Sequence, residues 1–149
     1  MSSSTKRVAV LAIVVENNDE PIYLKDLRGV AGEDPNNADE YLFQFILHSS
    51  LDMVSEKQWQ TPSLYLGVVE TFREYSVSAW ITASGTRILL LHRGYTEATV
   101  KNFLKGVHVL WVRAALNPLM DREDRISSTV FDNKLNALTQ KVLVPNQSS

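Results

Sequence analysis

Eight consecutive apolar residues decide the fold class of this chain: Val8-Ala9-Val10-Leu11-Ala12-Ile13-Val14-Val15. A strand with one solvent-facing side alternates apolar and polar residues, so an unbroken apolar run indicates burial on both faces. The segment Ile88-Leu89-Leu90-Leu91 has the same character. We therefore predict that these two strands lie side by side in the middle of one sheet.

The other segments supply three further strands and three helices, and the second apolar run extends to 87–92. Strands are predicted over 22–24, 64–69, 75–82 and 87–92, with a turn over 17–21 that makes the first two strands a hairpin. Apolar residues at helical spacing predict helices over 37–58 and 96–117, and a last helix with Phe131, Leu135, Leu138 and Val142 on one stripe. In the fourth strand, small polar residues alternate with apolar ones, which predicts one buried and one less buried face. The alternating polar residues are Ser76, Ser78 and Thr82.

This order of elements predicts an α+β domain. The two strands that are apolar throughout must be central, which gives a five-stranded antiparallel sheet in the order 2-1-5-4-3. Helices must cover both faces of such a sheet, and we expect one helix on one face and two on the other. We expect one domain over 7–144, with disordered tails at 1–6 and 145–149.

Composition excludes several classes of function. The chain has 149 residues, a net charge of −2 and no cysteine, so disulfides, thiolate metal sites and a cysteine nucleophile are excluded. Nucleic acid is not an expected partner at this charge. The longest apolar run has eight residues, whereas a membrane-spanning helix needs about 20. We therefore expect a cytoplasmic protein whose contact with membranes is made only through partners.

The first predicted helix has an unusually wide apolar arc. On a helical wheel its polar residues Gln44, His48, Asp52 and Ser55 share one narrow strip, while eight apolar residues spread over more than half the circumference. A surface helix needs an apolar stripe of only about 100°. Either the helix is sunk in a crevice of its own domain, or part of the arc contacts another chain. The sequence leaves both explanations open.

Residues capable of chemistry are few. The three histidines, His48, His92 and His108, are spread over different elements, so no metal site is expected. His48 and Asp52 are one helical turn apart, and Ser49 or Ser55 would complete the list of residues for a catalytic triad. Such i, i+4 pairs are common on helices, and nothing predicts a nucleophile turn or an oxyanion hole. We predict no catalytic residue and no cofactor.

The three tryptophans are candidates for either core or interface. Trp111 lies on the apolar stripe of the second helix and is predicted to be core. Trp59 follows the first helix and Trp80 lies on a strand among polar neighbours. Either of these two is a candidate interface anchor, because large aromatic residues are enriched at binding hot spots.

Five motifs in order resemble the sedlin family of small subunits of the TRAPP vesicle-tethering complex. The family segment H-x-[ST/A]-L-D-x-V-x-E is similar to residues 48–56 here, and the family motif L-Y-L-G is present at 64–67. Three further segments resemble family motifs. Glu16-Asn17-Asn18 is similar to the family's first hairpin turn, and Asn117-Pro118-Leu119 is similar to the end of its second helix. Arg125-Ile126-Ser127-Ser128, followed by Phe131-Asp132, is similar to the start of its last helix. Some motifs resemble sedlin itself and others its sedlin-like paralogue, which is slightly favoured.

The resemblance implies a fold and a function. It implies a longin (profilin-like) domain that acts as a non-catalytic adaptor among TRAPP subunits, in a complex that activates a Rab-type GTPase in ER-to-Golgi and Golgi transport. A free-standing longin module that binds a SNARE or a small GTPase is the alternative, and a small hydrolase is a remote one. The matched motif and the wide arc both lie on the first helix. We therefore predict partner contacts there and just after it, at Leu47, His48, Leu51, Asp52 and Trp59.

Overall fold

The computed structural model describes residues 7–15, 21–27, 40–116 and 129–143. Its strands are β1 (Val8–Val14), β2 (Tyr23–Asp26), β3 (Tyr65–Phe72), β4 (Tyr75–Ile81) and β5 (Arg87–Arg93). Its helices are α1 (Glu40–Lys57), α2 (Glu97–Ala115) and α3 (Thr129–Val142). The predicted tails, most of the predicted turn over 17–21, and the motifs at 16–18, 117–119 and 125–128 lie outside the described residues.

The strands form one antiparallel sheet in the order β2-β1-β5-β4-β3. This is the order predicted from the two apolar runs. In the centre of the sheet Leu11 of β1 lies opposite Leu90 of β5, and both side chains are fully buried. No residue of β1 is more than 4% exposed, as expected for a strand that is covered on both faces.

Alternate residues of β1 supply two separate cores. Leu11 and Ile13 pack on one face with side chains of α2 and α3, including Phe103 and Leu135. On the opposite face, residues such as Val10 belong to the same core as the buried side chains of α1. The predicted arrangement of one helix on one face and two on the other is confirmed.

The predicted alternation in β4 is wrong, because this strand is buried on both faces. Ser78 is completely buried, and its Oγ lies 2.9 Å from Nε2 of His92 on β5. Trp80 is 9% exposed, and its ring centroid lies 5.3 Å from that of His108 on α2. Small hydroxyl groups are tolerated in a core when they are hydrogen-bonded, so their presence did not mark an open face.

Candidate partner-binding site

Helix α1 presents only part of its apolar arc to the sheet. Its buried apolar side chains are Phe43, Ile46, Leu47, Leu51 and Val54. They pack on the face of the sheet that carries Val10 and Leu89. The sheet side of the helix therefore accounts for these five of the eight apolar residues in the arc, and Leu42 is partly buried against the same core.

The opposite side of α1 carries large exposed apolar side chains. Tyr41 is 83% exposed, Phe45 is 63% exposed and Met53 is 41% exposed. Successive residues of an α-helix are about 100° apart, so Tyr41 and Phe45 lie one above the other on the side that faces away from Phe43. Of the two explanations for the wide arc, the structure favours a surface that is left uncovered in the single chain. We call Tyr41, Phe45, Met53 and the polar residues between them the outer face of α1.

The two polar residues predicted for partner binding lie on this outer face. His48 and Asp52 are both exposed, one helical turn apart. Within the part of the chain that the structure describes, neither side chain makes a hydrogen bond or an ion pair. A carboxylate with no such partner in the described part of its own chain is available to a donor from another chain.

A groove of about 430 Å³ runs beside α1. It is lined mainly by apolar residues from both the sheet and the helix: Ala12, Val14, Pro21, Leu24, Gln44, Leu47, His48, Leu51 and Leu89. Strands are about 4.8 Å apart and a helix is about 10 Å wide, so one helix cannot cover five strands. Helix α1 packs on β3, β4 and β5, and the groove lies on the side of β1 and β2.

Leu47 and Leu51 occupy a different position from His48 and Asp52. They are 4% and 7% exposed, so most of each side chain belongs to the core under α1. Both also line the groove. Their first role is to hold α1 on the sheet, and only their edges are available to a ligand in the groove.

The three tryptophans differ in their exposure to solvent. Trp59, in the turn after α1, is 83% exposed and is compatible with an interface position. Trp111 is core, as predicted, and Trp80 is also core, so the interface alternative for Trp80 is wrong. The predicted partner contacts included neither the exposed Phe45 nor, on the same side of the helix, the exposed Tyr41. Its position four residues before Phe45 was the available signal.

The arrangement offers little for catalysis. Ser49 does not face His48, because its hydroxyl donates to the carbonyl of Ile46 at 3.0 Å. Ser78 and His92 do form a serine–histidine pair, but both are buried, and burial lowers the pKa of His92 to about 4. Among the described residues no cluster of three or more metal-ligating side chains occurs, and no helix has the length and apolarity needed to cross a membrane.

Comparison with known proteins decides the family. The sequence model described as Sedlin matches residues 14–141. The chain belongs to the sedlin family. The predicted longin architecture of this sedlin-family chain is confirmed by the five-stranded sheet and the three helices found in the described part of the chain.

The curated relatives of this sedlin-family chain carry the names of trafficking-complex subunits. It is 31% identical to the "Probable trafficking protein particle complex subunit 2" of Drosophila melanogaster, over 89% of this chain and 95% of that protein. It is 29% identical to the "Transport protein particle 20 kDa subunit" of Schizosaccharomyces pombe, over 89% of this chain and 97% of that protein. A "Trafficking protein particle complex subunit 2-like protein" of Taeniopygia guttata is 25% identical, over 91% of this chain and 99% of that protein. Identity therefore gives no support to the slight preference for the sedlin-like branch.

Proposed function

We propose that this chain is a non-catalytic adaptor subunit of a TRAPP complex. It binds other subunits of that complex. The complex activates a Rab-type GTPase in transport between the endoplasmic reticulum and the Golgi. The chain is cytoplasmic and meets ER and Golgi membranes through its partners. The proposal is supported by relatives that are named as subunits of such particles. The match to this chain covers nearly the whole length of those relatives.

One observation points to particular residues: the outer face of α1 combines exposed aromatic side chains with a carboxylate that has no hydrogen-bond or ion-pair partner among the described residues. Tyr41 and Phe45 expose most of their surface, although aromatic rings gain more than most side chains from burial. Aromatic residues are also enriched among those that dominate binding energy at interfaces. Asp52 lies on the same side of the helix, where it can bond a donor at the rim of the contact.

Replacement of Asp52 by Tyr tests this role. A bulky neutral residue at this position removes the acceptor and obstructs close approach of a partner. We expect co-purification of TRAPP subunits with the tagged chain to fall roughly tenfold, the change that ~1.4 kcal/mol of binding energy produces. The Tm should move by less than about 3 °C, because surface substitutions change stability by under about 0.5 kcal/mol.

The control is Asn133→Tyr, which places the same ring at an exposed position of α3 on the other side of the sheet. It should leave co-purification unchanged. Unchanged co-purification with Asp52→Tyr, or a large loss of stability in the isolated variant, would contradict the interface role of Asp52.

Two phenylalanines on α1 provide a second test. Phe45 is 63% exposed and Phe43 is 3% exposed, so alanine at each position removes the same side chain from opposite sides of one helix. Phe45→Ala should weaken binding of TRAPP subunits and leave the free energy of unfolding nearly unchanged. Phe43→Ala should lower the free energy of unfolding by about 3–5 kcal/mol, the usual cost of deleting a buried ring.

The same purification separates the alternatives. Recovery of a SNARE or a small GTPase without TRAPP subunits would replace the adaptor function by that of a free-standing longin module. Substrate turnover that disappears in His48→Ala would instead support the hydrolase.

A further inference from the structure

Helix α2 has a second apolar stripe on the side that faces away from the sheet. Val109 is 42% exposed, Val112 is 38% exposed, and Leu116, the residue that caps the helix, is 73% exposed. The side of α2 that faces the sheet is covered by the core. Its buried residues are Val100, Phe103, Leu104, Val107 and Trp111. Among the described residues, the outer three belong to neither core.

The spacing of these three residues is that of a helix–helix seam. Val109, Val112 and Leu116 are related as i, i+3 and i+7, which are the a, d and a positions of a heptad. On one helix these positions form a single line that a second helix can pack along. Isolated exposed apolar residues are ordinary on protein surfaces, but three at seam spacing over two turns form a continuous surface.

The charges beside this seam are basic. Lys105 continues the line one turn towards the start of the helix, and Arg113 and Lys101 lie at its flanks; all three are exposed. The one acidic residue of α2 is Glu97, in the first turn. In coiled coils, basic residues at the flanking e and g positions pair with acidic residues of the partner helix. The surface is therefore complementary to an acidic helix.

The outer face of α1, on the opposite side of the sheet, has the reverse charge. The described charged residues of α1 are three acidic ones, Glu40, Asp52 and Glu56, and one basic one, Lys57. A segment that fits the seam of α2 would thus be repelled by α1. The two helices present different surfaces to different partners.

We propose that the outer seam of α2, formed by Val109, Val112 and Leu116 with Lys105 in line before it and Arg113 at its flank, docks a helix of a partner subunit. That helix has apolar residues at its a and d positions and acidic residues at the positions that flank them. This inference rests on the proposed adaptor function and adds a second contact to it, on the other face of the sheet from α1. With both contacts the chain bridges two partners.

A partner helix fits this surface better than an anionic membrane. Helices that lie on membranes insert a broad apolar face with large residues such as Trp, Phe and Leu. The outer seam of α2 is narrow, and two of its three apolar residues are valines. Valine and leucine at a and d positions are typical of packing between helices.

The test uses the full chain in the purified complex, with a photo-cross-linking amino acid in place of Val112. We expect a cross-link to one subunit, in a segment with heptad-spaced apolar residues and flanking Asp or Glu. Lys105→Glu combined with Arg113→Glu should then lower recovery of that subunit roughly tenfold, as expected for two contacts at one interface. Lys57→Glu, the matched charge reversal on α1, should change the recovery of that subunit by less than about twofold.

Reciprocal substitution completes the experiment. Lysine in place of the flanking acidic residues of the cross-linked segment should restore binding to the Lys105→Glu/Arg113→Glu chain. A cross-link to lipid, to a second copy of this chain or to a basic segment would overturn the proposal, and so would unchanged recovery. If the wild-type chain recovers no TRAPP subunit at all, the adaptor function fails and the seam proposal fails with it. If the wild type recovers them and the seam variants do so equally well, only the seam proposal fails.

Discussion

His92 should make the stability of this domain depend on pH. The side chain, near the end of the central strand β5, is 7% exposed, and its Nε2 lies 2.9 Å from Ser78 Oγ. Burial lowers the pKa of His92 from 6.5 to about 4, because a charged imidazolium there would lose its hydration. The folded protein therefore keeps this histidine neutral over a range in which the unfolded chain protonates it.

The sign and size of the effect follow from linkage. The contribution of neutral His92 is fully present above the unfolded pKa of 6.5 and is lost as the pH falls through that value towards about 4. One pKa unit corresponds to about 1.36 kcal/mol, so the whole interval is worth ~3 kcal/mol. At pH 5, which is about 1.5 units below the unfolded pKa, the loss should be ~2 kcal/mol.

The comparison is between the wild type and His92→Gln, whose amide can still bond Ser78 but does not titrate. Urea denaturation at pH 7 and pH 5 gives the free energy of unfolding of each protein. The wild type should lose ~2 kcal/mol more than the variant over this interval, since contributions from all other groups are common to both. Losses that agree within ~0.5 kcal/mol would show that His92 is not held neutral by burial.

Two further predictions concern the stability of the folded domain. Asp132→Ala removes the carboxylate that accepts bonds from the Tyr23 hydroxyl at 2.7 Å and from Lys25 Nζ at 2.8 Å. Because the site is partly exposed, we expect a loss of about 1 kcal/mol in the free energy of unfolding, and an unchanged Tm would contradict it. Gly94→Ala should lower the free energy of unfolding by roughly 1 kcal/mol more than Gly67→Ala. Both glycines have positive φ, but a Cβ at 94 would lie 2.7 Å from Arg7 Cγ whereas the space at 67 is open, so equal losses would contradict the close packing at 94.

Much of the fold could be predicted because burial on both faces leaves a distinct pattern. Only a strand covered by helices on both sides can be apolar at every position, so β1 and β5 had to be central. The helices could be placed from their 3.6-residue periodicity. β4 was harder, because Ser78 is polar in sequence but is buried through its bond to His92, a partner that is close only in the folded chain.

The sequence predicted which helix carries the candidate site, but not which side of that helix is exposed. The width of the apolar arc showed that α1 has more apolar surface than one sheet needs, and the same helix carries the motif at 48–56 that resembles the sedlin family. The arc could not show which part meets the sheet. The structure turns Leu47 and Leu51 inward and leaves Tyr41 and Phe45 outside.

The sequence by itself determined the order of the elements, the central position of β1 and β5, and the sedlin family, since these depend on periodicity and on motifs read along the chain. Only the tertiary structure decided which residues are available to partners. The rotation of α1 on the sheet separates Phe43 from Phe45, and that of α2 leaves Val109 and Val112 outside. Exposure is a property of the whole packing arrangement. Residues that are chemically alike and close in sequence, such as Phe43 and Phe45, can therefore differ widely in exposure.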